Sequence, residues 1–171
     1  MANADTAFIL RRTFDAPREL VFKMLTEAEH LAHWWGPKGC TIAIKRHEGQ
    51  PGGIFHYRMD FGGAPVDGMW GRFDYEEIAP PRRVVFINGF ADEEGARTRG
   101  TMLPVWPLEV RNTVTLEEQG GRTELTLHAE PIDASPAEVA AFVAMHASMA
   151  QGYGGSFDVL DAYLAKLPSK G

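Results

Sequence analysis

Residues Thr6 to Phe14 mix apolar and β-branched positions and stop at Asp15-Ala16-Pro17, the pattern of a strand giving way to a helix. Asp15 is placed to cap that helix, and Pro17 suits its first turn, where a missing N–H costs nothing. Leu20, Val21, Met24 and Leu25 then recur at helical spacing, which predicts a helix of about two turns. Thr26 and Glu29 have the spacing of a capping box. A second short helix is therefore predicted, carrying Leu31 and one of Trp34 or Trp35 on its buried side and ending at Gly36-Pro37, because proline cannot continue a helix and restricts the residue before it.

From Cys40 to Pro131 the period changes to two. Phe55, Tyr57 and Met59 alternate with His56, Arg58 and Asp60 after a Gly52-Gly53 turn. Met69 to Ile78 reads as a strand closing at Ala79-Pro80-Pro81, and Val84 to Ile87 as a buried strand. Leu108, Val110, Asn112, Val114 and Leu116 share one face, as do Leu125, Leu127 and Ala129, with a Gln119-Gly120-Gly121 hairpin between them. Phe90 to Trp106 has no clean period and is expected to be a long loop. After Pro131 the period is 3.6. Ser135 caps, Pro136 fits the first turn, and apolar positions from Val139 to Leu167 predict one helix of roughly 45 Å at 1.5 Å per residue over about 30 residues. Gly152, Gly154 and Gly155 are expected to bend it or to admit something to its backbone.

These elements make an α+β protein, read as a single domain over residues 1–171: a curved antiparallel sheet of about six to seven strands, two short helices after the first strand, and a long C-terminal helix that alone is large enough to cover the concave face. Composition narrows the function. With 171 residues and 44% hydrophobic content, the chain can bury about 70% of its unfolded surface. Cys40 is the only cysteine, which excludes an intrachain disulfide and makes a reducing, cytoplasmic setting the expectation. The start MANADTAF lacks the basic and apolar regions of a secretory signal, and no run is long enough to span a membrane. A net charge of −6 argues against nucleic acid, and the Arg11-Arg12, Arg82-Arg83 and Arg97/Arg99 pairs read as solvated strand ends.

The segments FDAPRELVFKMLTEAEHLAHWWGPKGCT, PGGIFHYRM, YEEIAPPRRVVF, WPLEVRNTVTLEEQGGRTELTL and MAQGYGGSFDVLDAYLAKL, in that order, resemble the START-like, or SRPBCC, superfamily. Within it the chain is similar to the branch of the C-terminal domain of the heat-shock chaperone ATPase activators, over about Thr6 to Leu167. Tyr153 stands where that branch usually has tryptophan, and the loop before Trp106 is longer than expected. The resemblance implies a helix-grip, birch-pollen-allergen-like fold with a cavity between sheet and long helix that holds apolar or amphipathic small molecules.

The inward parity nominates the ligand-binding lining as Trp35, Phe55, Tyr57, Met59, Met69, Phe73, Phe86, Phe142, His146, Met149 and Tyr153, with Val114, Leu125 and Leu127 beside them. A dry void of about 400 Å³ would cost on the order of 10 kcal/mol at roughly 24 cal/mol per Å³, comparable with a whole protein's stability. Such a cavity must be small, wet, collapsed or filled. His146 and His128 are the polar candidates; His146 with Tyr57 or Tyr153 suits a polar ligand group. His30 and His33 are three apart, but no carboxylate or cysteine is expected to complete a metal set. No nucleophile elbow, phosphate loop or metalloprotease helix occurs, and Asp92 to Glu94 read as a solvated face. One of Trp34 and Trp35 is expected to pin the short helix, and the other, with Gly36-Pro37, to form the cavity mouth.

The leading expectation is a binder of a hydrophobic small molecule, with no cofactor and no metal. The alternatives are a chaperone-activator-like module with a protein partner and an enzyme using His146 or Tyr57 for acid–base chemistry. The acidic balance and the lack of the activators' additional N-terminal domain count against the chaperone reading. A homodimer is compatible with all three.

Overall fold

The computed structural model describes residues 6–35, 39–60, 62, 69–98 and 105–167. Strand β1 (Phe8–Phe14) leads into helices α1 (Arg18–Thr26) and α2 (Ala28–Trp34). Strands β2 (Thr41–His47), β3 (Ile54–Asp60), β4 (Met69–Ala79), β5 (Arg83–Ala91), β6 (Arg97–Thr98), β7 (Val110–Gln119) and β8 (Arg122–Pro131) follow, then helices α3 (Pro136–Ala144) and α4 (His146–Lys166). All eight strands form one antiparallel sheet in the order β1-β8-β7-β5-β4-β3-β2, with β6 beside β5. Register shifts between Ile44 and Arg46 and between Tyr75 and Glu77 mark irregularities of the kind that bend and twist a sheet.

Strand parity determines which side chains turn toward the helices. Phe55, Tyr57, Phe73, Tyr75, Phe86, Val114, Leu125 and Leu127 are all buried on that side. From α4, Phe157, Leu160 and Leu164 are buried against them, and Phe14 meets Phe157 edge-on at 5.5 Å. Arg12 on β1 reaches α4 as well, 2.8 Å from Asp158 and 3.3 Å from Asp161. Exposed ion pairs of this kind contribute at most about 1 kcal/mol, so the apolar contacts hold the helix.

Local chemistry departs from expectation at several helix ends. Pro17, not Asp15, is the N-cap of α1, and the Arg18 N–H that needed a partner is taken by the Glu118 carboxylate of β7 at 2.7 Å. Thr26 does not cap α2: its hydroxyl donates back to the Phe22 carbonyl at 3.1 Å, and the extended Glu27 separates the two helices. Ser135 does cap α3 in a full capping box with Glu138, with Pro136 in the first turn.

The predicted single C-terminal helix is two. Met145 interrupts it at φ −94° and ψ 1°, whereas Gly152, Gly154 and Gly155 lie inside an unbroken α4. The expected loop after Phe90 also carries structure. β5 runs on to Ala91, Asp92 accepts from the Ala96 N–H at 2.9 Å, and β6 returns alongside β5. Glu93 and Glu94 are exposed as expected. Arg97 is not a solvated strand end: its side chain is 12% exposed, 2.6 Å from Asp74 and 3.1 Å from Glu109. Arg99 lies outside the described residues.

A Cβ on Gly154 would meet nothing within 4 Å. Gly154→Ala is therefore expected to stabilise the protein by about 0.5–1 kcal/mol through helix propensity, read as a rise of roughly 1–4 °C in Tm. An unchanged or lower Tm would mean that the glycine is needed by the backbone.

Candidate functional site

The sheet, α3 and α4 border a half-open cavity of about 550 Å³. Its floor is Tyr57 and Met59 of β3, Met69 and Gly71 of β4, Asn88, Gly89 and Phe90 of β5, and Val110 and Asn112 of β7. Its roof is Phe142 of α3 with Met149, Gly152, Tyr153 and Ser156 of α4, and Trp35 and Trp106 complete the wall.

The paired tryptophans divide the work because α2 ends between them. Trp34, the last helical residue, is 2% exposed and donates its indole N–H to the Met24 carbonyl at 2.9 Å. Trp35 has left the helix at φ −68° and ψ 142°, which turns its ring into the cavity. There it stands edge-on to Phe73 at 4.9 Å and near Tyr57 and Tyr153 at 6.4 and 6.2 Å. Its expected companions at the mouth, Gly36 and Pro37, lie outside the described residues.

Tyr57 owes its place to a missing side chain. Its phenol lies across β4 so closely that a Cβ on Gly71 would overlap the ring and its oxygen. Burial pushes the Tyr57 hydroxyl up to about 12, with the adjacent Trp35 acting in the opposite sense. Burial, and then the neighbouring Tyr57, raise Tyr153 and Tyr75 as well. At neutral pH these hydroxyls are neutral donors and acceptors, not bases.

Asn112 is 1% exposed on the floor, and its side-chain NH₂ donates to Asn88 Oδ1 at 2.8 Å and to the Val110 carbonyl at 3.1 Å. Ser156, 5% exposed, faces the same space from α4. No Asp, Glu, Lys, Arg or His occurs among the described lining residues.

Of the nominated residues, Trp35, Tyr57, Met59, Met69, Phe142, Met149 and Tyr153 come together around the cavity. Phe55, Phe73 and Phe86 are packed beneath it instead, at 0%, 1% and 3% exposure, with Phe73 stacked on Phe86 at 4.0 Å. Val114, Leu125 and Leu127 likewise belong to the closed core. His146 lies outside the lining, between Phe8 and Phe142, and its Nε2 is buried with no hydrogen-bond partner among the described residues. His128 points away from the cavity: it has the opposite parity to Leu127 and Ala129 and pairs with Ile9 and Thr113. The residues not foreseen are Gly71, Asn88, Gly89, Phe90, Trp106, Gly152 and Ser156, together with Val110 and Asn112, which were placed on the right face without a role.

Two carboxylates stand beside His30, in a group that does not include His33. Glu27, Glu29 and His30 bring ligand-type atoms within 4.8 Å of one another. His30 is already engaged, 2.7 Å from the Tyr163 hydroxyl and 3.5 Å from Glu27, while His33 stacks on Tyr163 at 4.4 Å.

Comparison with known proteins adds a family. The model described as Activator of Hsp90 ATPase homolog 1-like protein matches residues 15–165. Among curated proteins no match is found. Among solved structures, a protein from Arthrobacter aurescens is similar with a TM-score of 0.77 at 24% identity, covering 99% of this chain and 93% of that one. A protein from Mycobacterium smegmatis has a TM-score of 0.75 at 22% identity over 98% of each chain. The AHSA1 protein from Silicibacter pomeroyi has a TM-score of 0.66 at 22% identity, over 93% of this chain and 97% of that one. At these identities the structures speak for the shared fold.

Two predictions follow the geometry. Trp34→Ala is expected to cost about 3–5 kcal/mol in denaturant unfolding, and Trp35→Ala markedly less; equal losses would refute the division of roles. The tyrosines give a pH window. A phenol whose folded pKa is raised contributes stability that is intact below its unfolded pKa of about 10 and is lost as pH rises through the folded value, about 12 for Tyr57. Alkaline titration followed at 295 nm should show Tyr57, Tyr75 and Tyr153 ionising together with unfolding, after the ordinary range has been passed. Their ionisation in a folded protein near pH 10 would contradict the burial argument.

Proposed function

The chain belongs to the family of Activator of Hsp90 ATPase homolog 1-like proteins, and on that premise we propose that it binds an apolar or amphipathic small molecule between the sheet and the C-terminal helices. The observation that carries this reading is the 550 Å³ cavity with its aromatic and methionine wall. That size is typical of small-molecule sites. Most of the cavity wall is apolar, so a guest that displaces water from it gains by apolar burial. Met59, Met69 and Met149 are polarisable and flexible enough to adapt to a guest.

The family's name favours a second reading, a module that binds a chaperone ATPase through its outer surface. Its structural counterpart is the outward side of α3, where Val139, Ala140, Val143 and Ala144 border an open depression with Thr6, Ala134 and Pro136. Val143 is 39% exposed, and Ile9 48%. The acid–base reading has less support, since Tyr57 stays protonated and His146 lies off the lining. Among the described residues no helix is long and apolar enough to cross a membrane.

A cavity-filling variant separates the first two readings. Gly152 lines the cavity, and a Cβ there would meet nothing within 4 Å. Gly152→Phe should remain folded by circular dichroism yet bind the neutral probe N-phenyl-1-naphthylamine at least about tenfold more weakly, a difference of about 1.4 kcal/mol. Native mass spectrometry of gently purified wild type should show an excess mass lost on denaturation. A wild type that carries no such mass and does not bind the probe, while Val143→Glu abolishes binding to a chaperone ATPase, would favour the second reading.

A further inference from the structure

Resting on the cavity-binding reading, we infer that the Asn88–Asn112 pair is a head-group subsite for an uncharged ligand with the cis-amide edge of a lactam or cyclic imide, a carbonyl and an N–H side by side. The orientation of the pair follows from its bonds. The Val110 carbonyl can only accept, so the end of Asn112 that lies 3.1 Å from it is the NH₂. The same NH₂ lies 2.8 Å from Asn88, so the near end of Asn88 is its oxygen. The amide assignment is thus fixed by a backbone group and not by choice.

What remains is a complementary pair. Asn112 retains a carbonyl oxygen and Asn88 an NH₂, and neither takes another partner among the described residues. Both side chains line the cavity, and they come from adjacent strands, with Phe86 opposite Asn112 and Asn88 opposite Val110. An acceptor beside a donor matches a ligand edge that offers a donor beside an acceptor. The lactam N–H donates to Asn112 Oδ1 while its C=O accepts from Asn88 Nδ2. The missing charges set the second half of the specificity. With no carboxylate, Lys, Arg or His in the described lining, an anion or cation on this floor would lose hydration without a counter-charge from the described residues. A flat ring system attached to the amide edge would extend against Trp35, Tyr57 and Tyr153, whose rings surround the space above the floor.

The test uses the full chain and three related probes, 2-quinolinone, N-methyl-2-quinolinone and quinoline-2-carboxylate, with naphthalene as an edge-free reference, followed by tryptophan fluorescence. N-methylation makes the probe larger and more apolar, so an undiscriminating greasy cavity would prefer it. The subsite instead requires 2-quinolinone to bind at least about tenfold tighter than its N-methyl analogue, because a buried acceptor left unmade is costly, and tighter than the carboxylate by as much or more. Asn112→Leu should erase the preference over the N-methyl probe. Asn88→Leu, which leaves the Asn112 bond to Val110 in place, should weaken 2-quinolinone about tenfold while leaving naphthalene within about twofold; should Asn112→Leu fail to fold, this variant decides. Naphthalene binding without lactam preference, or a preference that survives Asn88→Leu, overturns the subsite and leaves the cavity reading intact. Failure of every neutral probe to bind overturns both.

Discussion

Seven strands abreast at about 4.8 Å spacing make a sheet roughly 30 Å across, whereas a helix with its side chains is about 10–12 Å wide, so no single helix can cover the concave face. α4 covers one stripe, beside β1, where Phe157 meets Phe14 and where Leu160 and Leu164 are buried in the same closed core. The remaining stripe, over β3, β4 and β5, lies beneath the part of α4 from Met149 to Ser156, with Trp35 at its side and Phe142 of α3 at its end. Where these three covers fail to meet, the cavity is left. Its position is a consequence of coverage, and its chemistry is a consequence of which strand residues lie beneath the gap.

Those residues do two different things. Phe55, Phe73 and Phe86 form a packed aromatic base, and on it sit the groups that face the void. Gly71 is the hinge between the two layers, since only a residue without a side chain lets the Tyr57 phenol lie across β4. The Trp34-Trp35 dipeptide makes the same division at the rim. Consecutive residues on a helix are about 100° apart, but here the helix also ends, so one ring is committed to the core and the other to the cavity wall.

Most of this was legible as parity. The alternation in β4, β7 and β8 places the inward residues correctly because each of these strands buries one face, and in β3 it does so although His56 is buried on the opposite face as well. The polar position also announces itself: Asn112 interrupts the apolar series Val110, Val114, Leu116, and Asn88 sits in step with Phe86 and Phe90. What parity could not tell was depth, which is why Phe55, Phe73 and Phe86 were assigned to the lining and not to its foundation. Long-range partners were equally invisible. Glu118 occupies the N–H that Asp15 was expected to cover, and Asp74 with Glu109 draws Arg97 out of solvent. The break at Met145 escaped because the apolar spacing of 3.6 runs through it unchanged, and the glycines beyond it, which looked like the weak point, are held helical by the packing of Phe157 and Leu160.

α3 joins the two functional readings in one element. Apart from Glu138, committed to the capping box, its residues from Pro136 to Ala144 are all apolar. A surface helix normally keeps a polar face toward water. This one turns Phe142 into the cavity roof and leaves Val143 part-exposed on the other side, so no face of it is adapted to solvent alone. Its inward side puts Phe142 beside Met149 and Tyr153 of α4 in the cavity roof. Its outward side borders an open apolar depression with Val139, Ala140 and Val143. The cavity and the exposed apolar depression are therefore separated here by the thickness of one nine-residue helix, and evidence for one proposed role does not count against the other.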